Sequence, residues 1–325
     1  RDERVGAIVA DWMNTWVNAA ARAERGKPAG IIPSAIHWPD GRVGGLGENW
    51  WQPENYGTKL YDWPSAMAQM THCLLQTSHI TGDRRYLEPI LAMARIRRKA
   101  AATPISDLPS AGSEAWCAGR MDGFLMPTLA KYRVLTGDEQ FDDLLQADAP
   151  AYVRYRLFDD QEALARSLER CAEALRVNWP AWTREVRWTD RVLRFPGGWL
   201  AHCGHRLPRP NPGLLYSSAT GDPGGVGYFP LNAVRWLTPP RDLAALVTDS
   251  TTTSLKARLF HFGDEPRTLK AELYLLAAGR YACEVRSPEG LVRDDRVAVT
   301  GPRTRIALTL PPRVLCTVHV ARADE

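Results

Sequence analysis

Apolar side chains recur at spacings of three and four through the first 178 residues, which is the period of an amphipathic helix. One stripe runs through Leu60, Trp63, Met67, Met70 and Leu74, and it predicts a helix that ends near residues 81–83. The same reasoning predicts helices over 3–25, 60–80, 84–101, 113–135, 138–155 and 161–177. The N-terminal part of the chain is therefore predicted to be helical.

The helical part contains an internal repeat with an offset of 55 residues, because Thr81-Gly82-Asp83 recurs as Thr136-Gly137-Asp138. Apolar and aromatic positions match at the same offset: Tyr61 with Trp116, Met70 with Leu125, Leu74 with Leu129, Ile80 with Leu135, and Tyr86 with Phe141. Glycine suits the left-handed residue that closes a helix, and aspartate caps the helix that follows. Each repeat is predicted to be a helical hairpin.

The last 89 residues contain no Trp and instead alternate apolar with polar positions. This period of two predicts strands at 255–262, 268–276, 281–287, 292–299, 304–310 and 314–321, separated by Gly- and Pro-containing turns. The preceding segment, 229–236, is predicted to be a final helix or a packing element. The expected fold class is therefore α+β, with a helical region at 1–245 and a small antiparallel β-sandwich at 246–325.

Composition excludes several classes of protein. With 45% hydrophobic residues, 24% charged residues and a net charge of +4, the chain is typical of soluble globular proteins, and nothing favours nucleic acid binding. It lacks an apolar run of about 18 residues, so membrane insertion is not expected. The six cysteines form no CxxC pair, and His202-Cys203-Gly204-His205 matches no metal-site spacing. We expect no metal, no cofactor and, without heptads, a monomer.

The segment 26–59 is a long predicted loop, and the aromatic and acidic residues of 38–63 suggest its purpose. Flat rings can stack on the C–H faces of sugars, while carboxylates serve the hydroxyls and glycosidic oxygens. The residues expected to bind substrate are Trp38, Trp50, Trp51, Tyr61, Trp63, His37 and Arg42. The alternative is that the Trp side chains only pack over helix ends. The favoured interpretation is a carbohydrate-active enzyme.

Hydrolysis of a glycosidic bond needs two carboxyl groups, one protonated and one ionised. Glu48 and Asp62 are the preferred pair because aromatic neighbours can desolvate a carboxyl and raise its pKa. Glu54 and Asp40 are the substitutes. In the alternative interpretation, Asp62 caps the helix that follows it and Glu48 forms a structural ion pair with Arg42.

The repeated hairpins joined by Thr-Gly-Asp turns resemble the α/α-toroid carbohydrate enzymes, which include glycoside hydrolases and polysaccharide lyases. That resemblance covers about residues 3–178 and implies a toroid followed by a β-sandwich. A complete ring needs about twelve helices, so the chain is expected to be the C-terminal portion of a longer enzyme. The substrate would be an oligo- or polysaccharide, and polymeric glycans imply an extracytoplasmic (periplasmic or secreted) location.

A lyase is the second hypothesis. Asn49-Trp50-Trp51 resembles the Asn-Trp-Trp element of hyaluronate and chondroitin lyases, which implies that Asn49 neutralises the carboxylate of a uronic acid. His37, Arg42, Tyr56 or Tyr61 would assist by removing the C5 proton or binding the sugar. A third hypothesis is a non-catalytic carbohydrate-binding or scaffold protein that uses the same aromatic side chains.

Overall fold

The computed structural model describes residues 3–53, 61–103, 108–181, 210–225, 228–239 and 242–323. Two units divide the chain: the first is Arg1–Ala149 with Gly227–Phe229, and the second is Pro150–Val226 with Pro230–Glu325. Helices and antiparallel sheets are both present, which confirms the predicted α+β class. No helix within the described ranges combines the length and apolar character that crossing a membrane requires.

The first unit is helical in the residues that the structure describes. Its helices are α1 (Glu3–Ala21), α2 (Met67–Thr81), α3 (Glu88–Ala101), α4 (Glu114–Ala118), α5 (Asp122–Thr136) and α6 (Asp142–Asp148). A single 3₁₀ turn, Arg84–Leu87, leads into α3. Within this unit α2 packs against α5, and the hydroxyls of Thr71 and Thr128 meet at 2.8 Å between the two helices.

Helix α1 ends at Ala21, four residues before the predicted end. Three other predicted helices begin late or are interrupted, each for a local reason. The helix predicted from 60 begins only at Met67, because a turn closes at the preceding residues and Ser65 N donates to Asp62 O at 2.7 Å. The helix predicted over 113–135 breaks after α4 at Gly119. The helix predicted over 138–155 is interrupted at Ala149, which is extended because Pro150 follows it.

Both Thr-Gly-Asp turns have the predicted geometry. Gly82 and Gly137 are left-handed, with φ of 75° and 74°, and each closes its helix through its backbone N–H. Asp83 and Asp138 each accept a backbone N–H two residues ahead at 2.9 Å. In both turns the Thr hydroxyl accepts the Asp N–H at 3.2 Å and donates to the carbonyl four residues back. The prediction for the two glycines is confirmed, and Asp83 caps the 3₁₀ turn that follows it. Asp138 does not cap α6, whose N-cap residue is Phe141.

The second unit contains α7 (Ala151–Phe158), α8 (Gln161–Asn178), the 3₁₀ turn Trp179–Ala181 and α9 (Pro212–Thr220). Helix α9 ends in a third Thr-Gly-Asp turn, at residues 220–222, with Gly221 at φ 82°. Thr220 forms the same two hydrogen bonds as its counterparts. Asp222, however, is buried and accepts the backbone N–H groups of Gly224, Gly225 and Leu231. Sequence analysis missed this copy because it does not follow the offset of 55 residues.

Two antiparallel sheets complete the second unit. The strands are β1 (Val234–Trp236), β2 (Leu243–Ser250), β3 (Ser254–His261), β4 (Arg267–Leu273), β5 (Gly279–Ser287), β6 (Gly290–Val299), β7 (Thr304–Leu310) and β8 (Leu315–Arg322). One sheet has the order β1-β4-β7 and the other β2-β3-β8-β5-β6. The six predicted strands are confirmed as β3 to β8, with small differences at their ends.

Strands β1 and β2 were not predicted. Segment 229–236 was predicted to be a helix or a packing element, and the helix is wrong at 234–236, which form a strand in which Arg235 pairs with Glu272 of β4. Val234 is in the core of the unit, and Trp236 packs against that core. The boundary predicted between residues 245 and 246 falls inside β2, which pairs with β3 on both sides of it. The core of this unit draws apolar side chains from both sheets, including Val234, Val247, Leu259, Leu269, Tyr281, Leu308 and Val318.

Replacing each turn glycine with alanine should separate backbone strain from crowding. We expect Gly82→Ala and Gly137→Ala to cost about 1–2 kcal/mol each, the usual penalty for an L-residue in the left-handed region, because space around both is open. At Gly221 an added Cβ would lie 3.0 Å from both Ala233 and Val247, so Gly221→Ala should cost more. Thermal unfolding of the three variants tests this ranking, and equal losses at all three positions would contradict it.

Candidate functional site

A groove in the first unit is the candidate site, and it consists of two pockets. The Trp38 pocket has a volume of about 400 Å³ and is lined by Trp12, Thr15, Trp16, Asn18, Arg22, Ile36, His37, Trp38, Pro39, Asp40 and Gly41. The Tyr61 pocket has a volume of about 350 Å³ and is lined by Trp12, Trp16, Ser34, Ala35, Ile36, Tyr61, Ala66, Gln69, Met70 and Cys73. Both volumes are within the usual range for ligand sites.

Helix α1 supplies one wall of the groove. Trp12 and Trp16 are four residues apart, so their indole rings lie on the same face of the helix. The ring of Trp12 is 54% exposed although Trp is usually well buried. Thr15 and Arg22 extend this wall within the Trp38 pocket. The helix therefore offers two aromatic surfaces with polar groups beside them.

A short loop, residues 36–43, supplies the opposite wall. Its ends are joined by an isolated β-bridge between Ile36 and Val43, and His37 N donates to Arg42 O at 2.8 Å. The turn closes where Gly41 N donates to His37 O at 2.9 Å, and Gly41 has a φ of 70°, a value that favours glycine. Trp38 lies in this loop and is 85% exposed.

The loop is fixed to the C-terminal end of α1 by arginine side chains. Arg22 Nη2 donates to Gly41 O at 2.6 Å. Arg25 donates to Val43 O at 3.2 Å and to Gly47 O at 3.0 Å, so one guanidinium binds the last residue of the loop and the segment that follows it. These contacts hold the two walls of the Trp38 pocket together.

A buried lysine fixes the chain where it leaves α1. The ammonium of Lys27 donates to the carbonyls of Ala20, Pro28 and Ile31, at 3.1, 2.7 and 2.9 Å. Burial, with a smaller contribution from nearby Arg22, lowers the pKa of Lys27 to about 8. Because Ala20 is in the last turn of α1, the ammonium also compensates the negative end of that helix.

His37 and Asp40 form a hydrogen-bonded pair inside the Trp38 pocket. Asp40 Oδ1 is 3.0 Å from His37 Nδ1 and accepts the backbone N–H of Arg42 at 3.0 Å. The Arg42 amide and then the His37 side chain lower the pKa of Asp40, which keeps this carboxyl ionised. An ionised carboxylate at Nδ1 selects the tautomer in which Nε2 carries the lone pair. The pair can therefore transfer a proton at Nε2.

A cluster of aromatic side chains lies beyond the 36–43 loop, in the segment 50–63 and in helices α4 and α5. It consists of Trp50, Trp51, Trp63, Trp116 and Phe124, with ring centroids 5.7–6.2 Å apart. Trp50 is 0% exposed and Trp63 is 4% exposed, and the indole N–H of Trp63 donates to Ile32 O at 3.0 Å. In this conformation both rings are buried, so they would position the loop rather than stack on a sugar.

The other predicted site residues are distributed more widely. Glu48, Asn49 and Arg42 are exposed, and Tyr61 is at the mouth of its pocket. Asp62 is half-buried. The N-cap residue of α2 is Ala66, so Asp62 does not cap this helix as the alternative interpretation predicted. The predictions for Glu54 and Tyr56 lie outside the described residues.

Several residues of the groove were not predicted from the sequence, among them Trp12, Trp16 and Ser34. The two Trp residues lie on α1, outside the acidic and aromatic segment 38–63 from which the site was predicted. Their spacing of four was the available signal, since it places two large rings on one face. Within the described ranges, no group of three or more His, Cys, Asp or Glu side chains could hold a metal ion. The 202–205 segment lies outside those ranges.

Comparisons with known proteins find no sequence match and only low structural similarity. No family model matches the chain, and no curated protein is similar to it in sequence. Among solved structures, a Bacillus halodurans protein provisionally assigned as an alpha-N-acetylgalactosaminidase has 13% identity and a TM-score of 0.20, over 29% of this chain and 21% of that chain. A Paenibacillus polymyxa family 44 xyloglucanase has 12% identity and a TM-score of 0.20, over 26% and 18%.

A family 30 endoxylanase from Clostridium papyrosolvens has 15% identity and a TM-score of 0.21, over 28% of this chain and 24% of that chain. All three alignments therefore cover about a quarter or less of the other protein. TM-scores near 0.2 do not define a shared overall fold, and the α/α toroid stays a prediction. The function proposed below rests on the residues of the chain itself.

Proposed function

We propose that this protein binds a poly- or oligosaccharide in the groove and cleaves its glycosidic bonds. The observation that carries the proposal is the Trp38 pocket, where the exposed indoles of Trp12 and Trp38 lie with the hydrogen-bonded pair His37 and Asp40. Indole faces provide stacking surfaces for sugar rings, and the pair provides proton transfer next to them. Such a combination suits a sugar-cleaving enzyme better than a simple binding surface.

Hydrolysis by a carboxylate pair is the first route. Asp40 is the sole carboxylate among the described residues that line either pocket. Its lowered pKa suits a base or nucleophile rather than an acid. The protonated partner would have to come from Glu48, Asp62 or Glu54. This route therefore needs a second carboxyl to approach the groove when substrate binds.

β-Elimination is the second route, and the contact between His37 and Asp40 favours it. His37 Nε2 would remove the C5 proton of a uronic acid, the C4–O bond would break, and a C4–C5 double bond would form. The leaving oxygen would take a proton from water, and the imidazolium would later return its proton to the solvent. Asp40 would stabilise the imidazolium through Nδ1. Asn49 would neutralise the sugar carboxylate, the role implied by its resemblance to the lyases.

One assay distinguishes the routes. The protein is offered a panel of neutral and uronic-acid polysaccharides while absorbance at about 235 nm and the release of reducing ends are followed together. Elimination raises both signals because the product contains a double bond conjugated to its carboxylate, whereas hydrolysis raises reducing ends alone. We expect Trp38→Ala to weaken saccharide affinity under either route. Saccharide binding without either signal would support a non-catalytic binding protein, and no binding would refute the proposal.

A further inference from the structure

We propose that the Tyr61 pocket is a second sugar subsite, continuous with the Trp38 pocket, and that it takes an uncharged sugar unit. This inference rests on the proposed function and deepens it. The substrate would then be a chain of at least two sugar units with a neutral unit next to the site of chemistry. A single monosaccharide would occupy only part of the groove.

Shared walls support the continuity. Trp12, Trp16 and Ile36 line both pockets, so a ligand that leaves one pocket along α1 enters the other. Trp12 is half exposed and Tyr61 is 41% exposed at the far end. Successive aromatic side chains along a groove can stack on successive sugar rings of an extended chain.

Ser34 points to a ligand in the Tyr61 pocket. The residue is 8% exposed, it lines the pocket, and its hydroxyl has no hydrogen-bond partner among the described residues. A buried hydroxyl without a partner is costly, and nearly all such groups in folded proteins are satisfied. Rotation of the Ser34 side chain about its Cα–Cβ bond would turn this oxygen towards the pocket, where a sugar hydroxyl could both donate to it and accept from it.

The lining chemistry selects a neutral sugar. Gln69, Met70 and Cys73 of α2 meet Trp16 and Tyr61 in this pocket, and none of the described lining residues is Asp, Glu, Lys, Arg or His. A sugar carboxylate placed there would lose water without gaining a cation. The Trp38 pocket differs because Arg22, His37 and Asp40 line it. A charged sugar, if the substrate contains one, would therefore occupy the Trp38 pocket.

The test measures how saccharide affinity depends on chain length and how the Ser34→Ala variant changes that affinity. This substitution removes one hydroxyl and little volume. Calorimetry with glucuronate and with cello-oligosaccharides and hyaluronan oligosaccharides of two and six sugars gives the affinities. The measurements use the His37→Ala background, in which cleavage is expected to be slower, and chromatography after each titration checks that the saccharides are intact. We expect Ser34→Ala to weaken binding of the di- and hexasaccharides, which span both pockets, about five- to tenfold, the effect of losing one hydrogen bond. Binding of glucuronate, which the neutral pocket excludes, should not change. Ser110→Ala, at an exposed serine in the same unit, is the matched control.

Cys73 can show whether a saccharide occupies the Tyr61 pocket, because it lines this pocket and not the Trp38 pocket. The hexasaccharide should slow alkylation of this thiol, whereas the other described cysteines, Cys117, Cys171, Cys283 and Cys316, are buried and serve as references. Binding that depends neither on length nor on Ser34, with Cys73 unprotected, would overturn the second subsite and leave the proposed function standing. Failure of every saccharide to bind the unaltered protein would overturn both.

Discussion

Replacing His37 with alanine should lower kcat on the cleaved glycan by about 10²- to 10⁴-fold, the usual contribution of a general acid or base. The imidazole lies in the Trp38 pocket beside two exposed indoles, while the stacking surfaces that bind the sugar are separate side chains. Saccharide affinity should therefore change little. Steady-state kinetics and calorimetry on the same variant measure the two effects independently.

Two further variants test how the imidazole works. Asp40→Asn keeps the size of the side chain but removes the charge that selects the tautomer of His37, so kcat should fall here too. His79→Ala changes an exposed histidine of α2 that lines neither pocket, and it should retain full activity. If His37→Ala retains at least a third of the kcat of the unaltered protein, the imidazole takes no part in proton transfer, and the carboxyl groups become the candidates.

Trp63→Ala should lower the free energy of unfolding by about 3–5 kcal/mol, the usual cost of emptying a buried aromatic site. The indole is 4% exposed and packs against Trp50, Trp116 and Phe124. Its N–H also donates to Ile32 O in the loop segment that leads to the groove. Denaturant unfolding followed by circular dichroism measures the loss, which includes the cavity and the unpaired carbonyl.

Trp38→Ala is the matched control for that stability prediction, because the same residue type is 85% exposed there and its loss leaves no cavity. Trp63→Phe should fall between the two variants, since it keeps a ring in the cluster but loses the hydrogen bond. A loss at Trp63 within about 0.5 kcal/mol of the loss at Trp38, the range usual for surface changes, would mean that the cluster does not support the fold.

Local patterns in the sequence were sufficient for much of the fold. Alternation of apolar and polar residues located strands β3 to β8, and Gly82 and Gly137 close their helices as the repeat indicated. Strand β1 escaped because three residues are too few to show a period of two; its partner β4 lies more than thirty residues along the chain. The break before Pro150 was not predicted, because the apolar pattern of a helix continues on both sides of it. The residue before a proline disfavours the helical backbone conformation, and at Ala149 this preference outweighs the pattern.

The candidate site was harder to predict for a physical reason. Trp38 and Trp50 look equivalent in the sequence, yet one is exposed and the other is enclosed by rings that include Trp63. Burial depends on partners that are distant in sequence, such as Trp116 and Phe124 around Trp63. Composition alone therefore could not distinguish a Trp exposed for stacking on a sugar from a Trp buried in the core. The contact between His37 and Asp40 was local, and a spacing of three within a tight turn could have suggested it.

The third Thr-Gly-Asp turn bears on how the second unit could be inherited or exchanged between proteins. Ala233 N donates to Thr220 O, and the Trp236 indole donates to Ala219 O, so the end of α9 is bonded to the segment that becomes β1. Val247 of β2 lies against Gly221. Recombination that moved the strands without α9 would leave the Trp236 indole N–H without its acceptor and uncover Val247. Helix α7 is bonded to β2 as well, because the buried Tyr152 hydroxyl donates to Val247 O at 2.8 Å. The smallest transferable module therefore runs from α7 to β8.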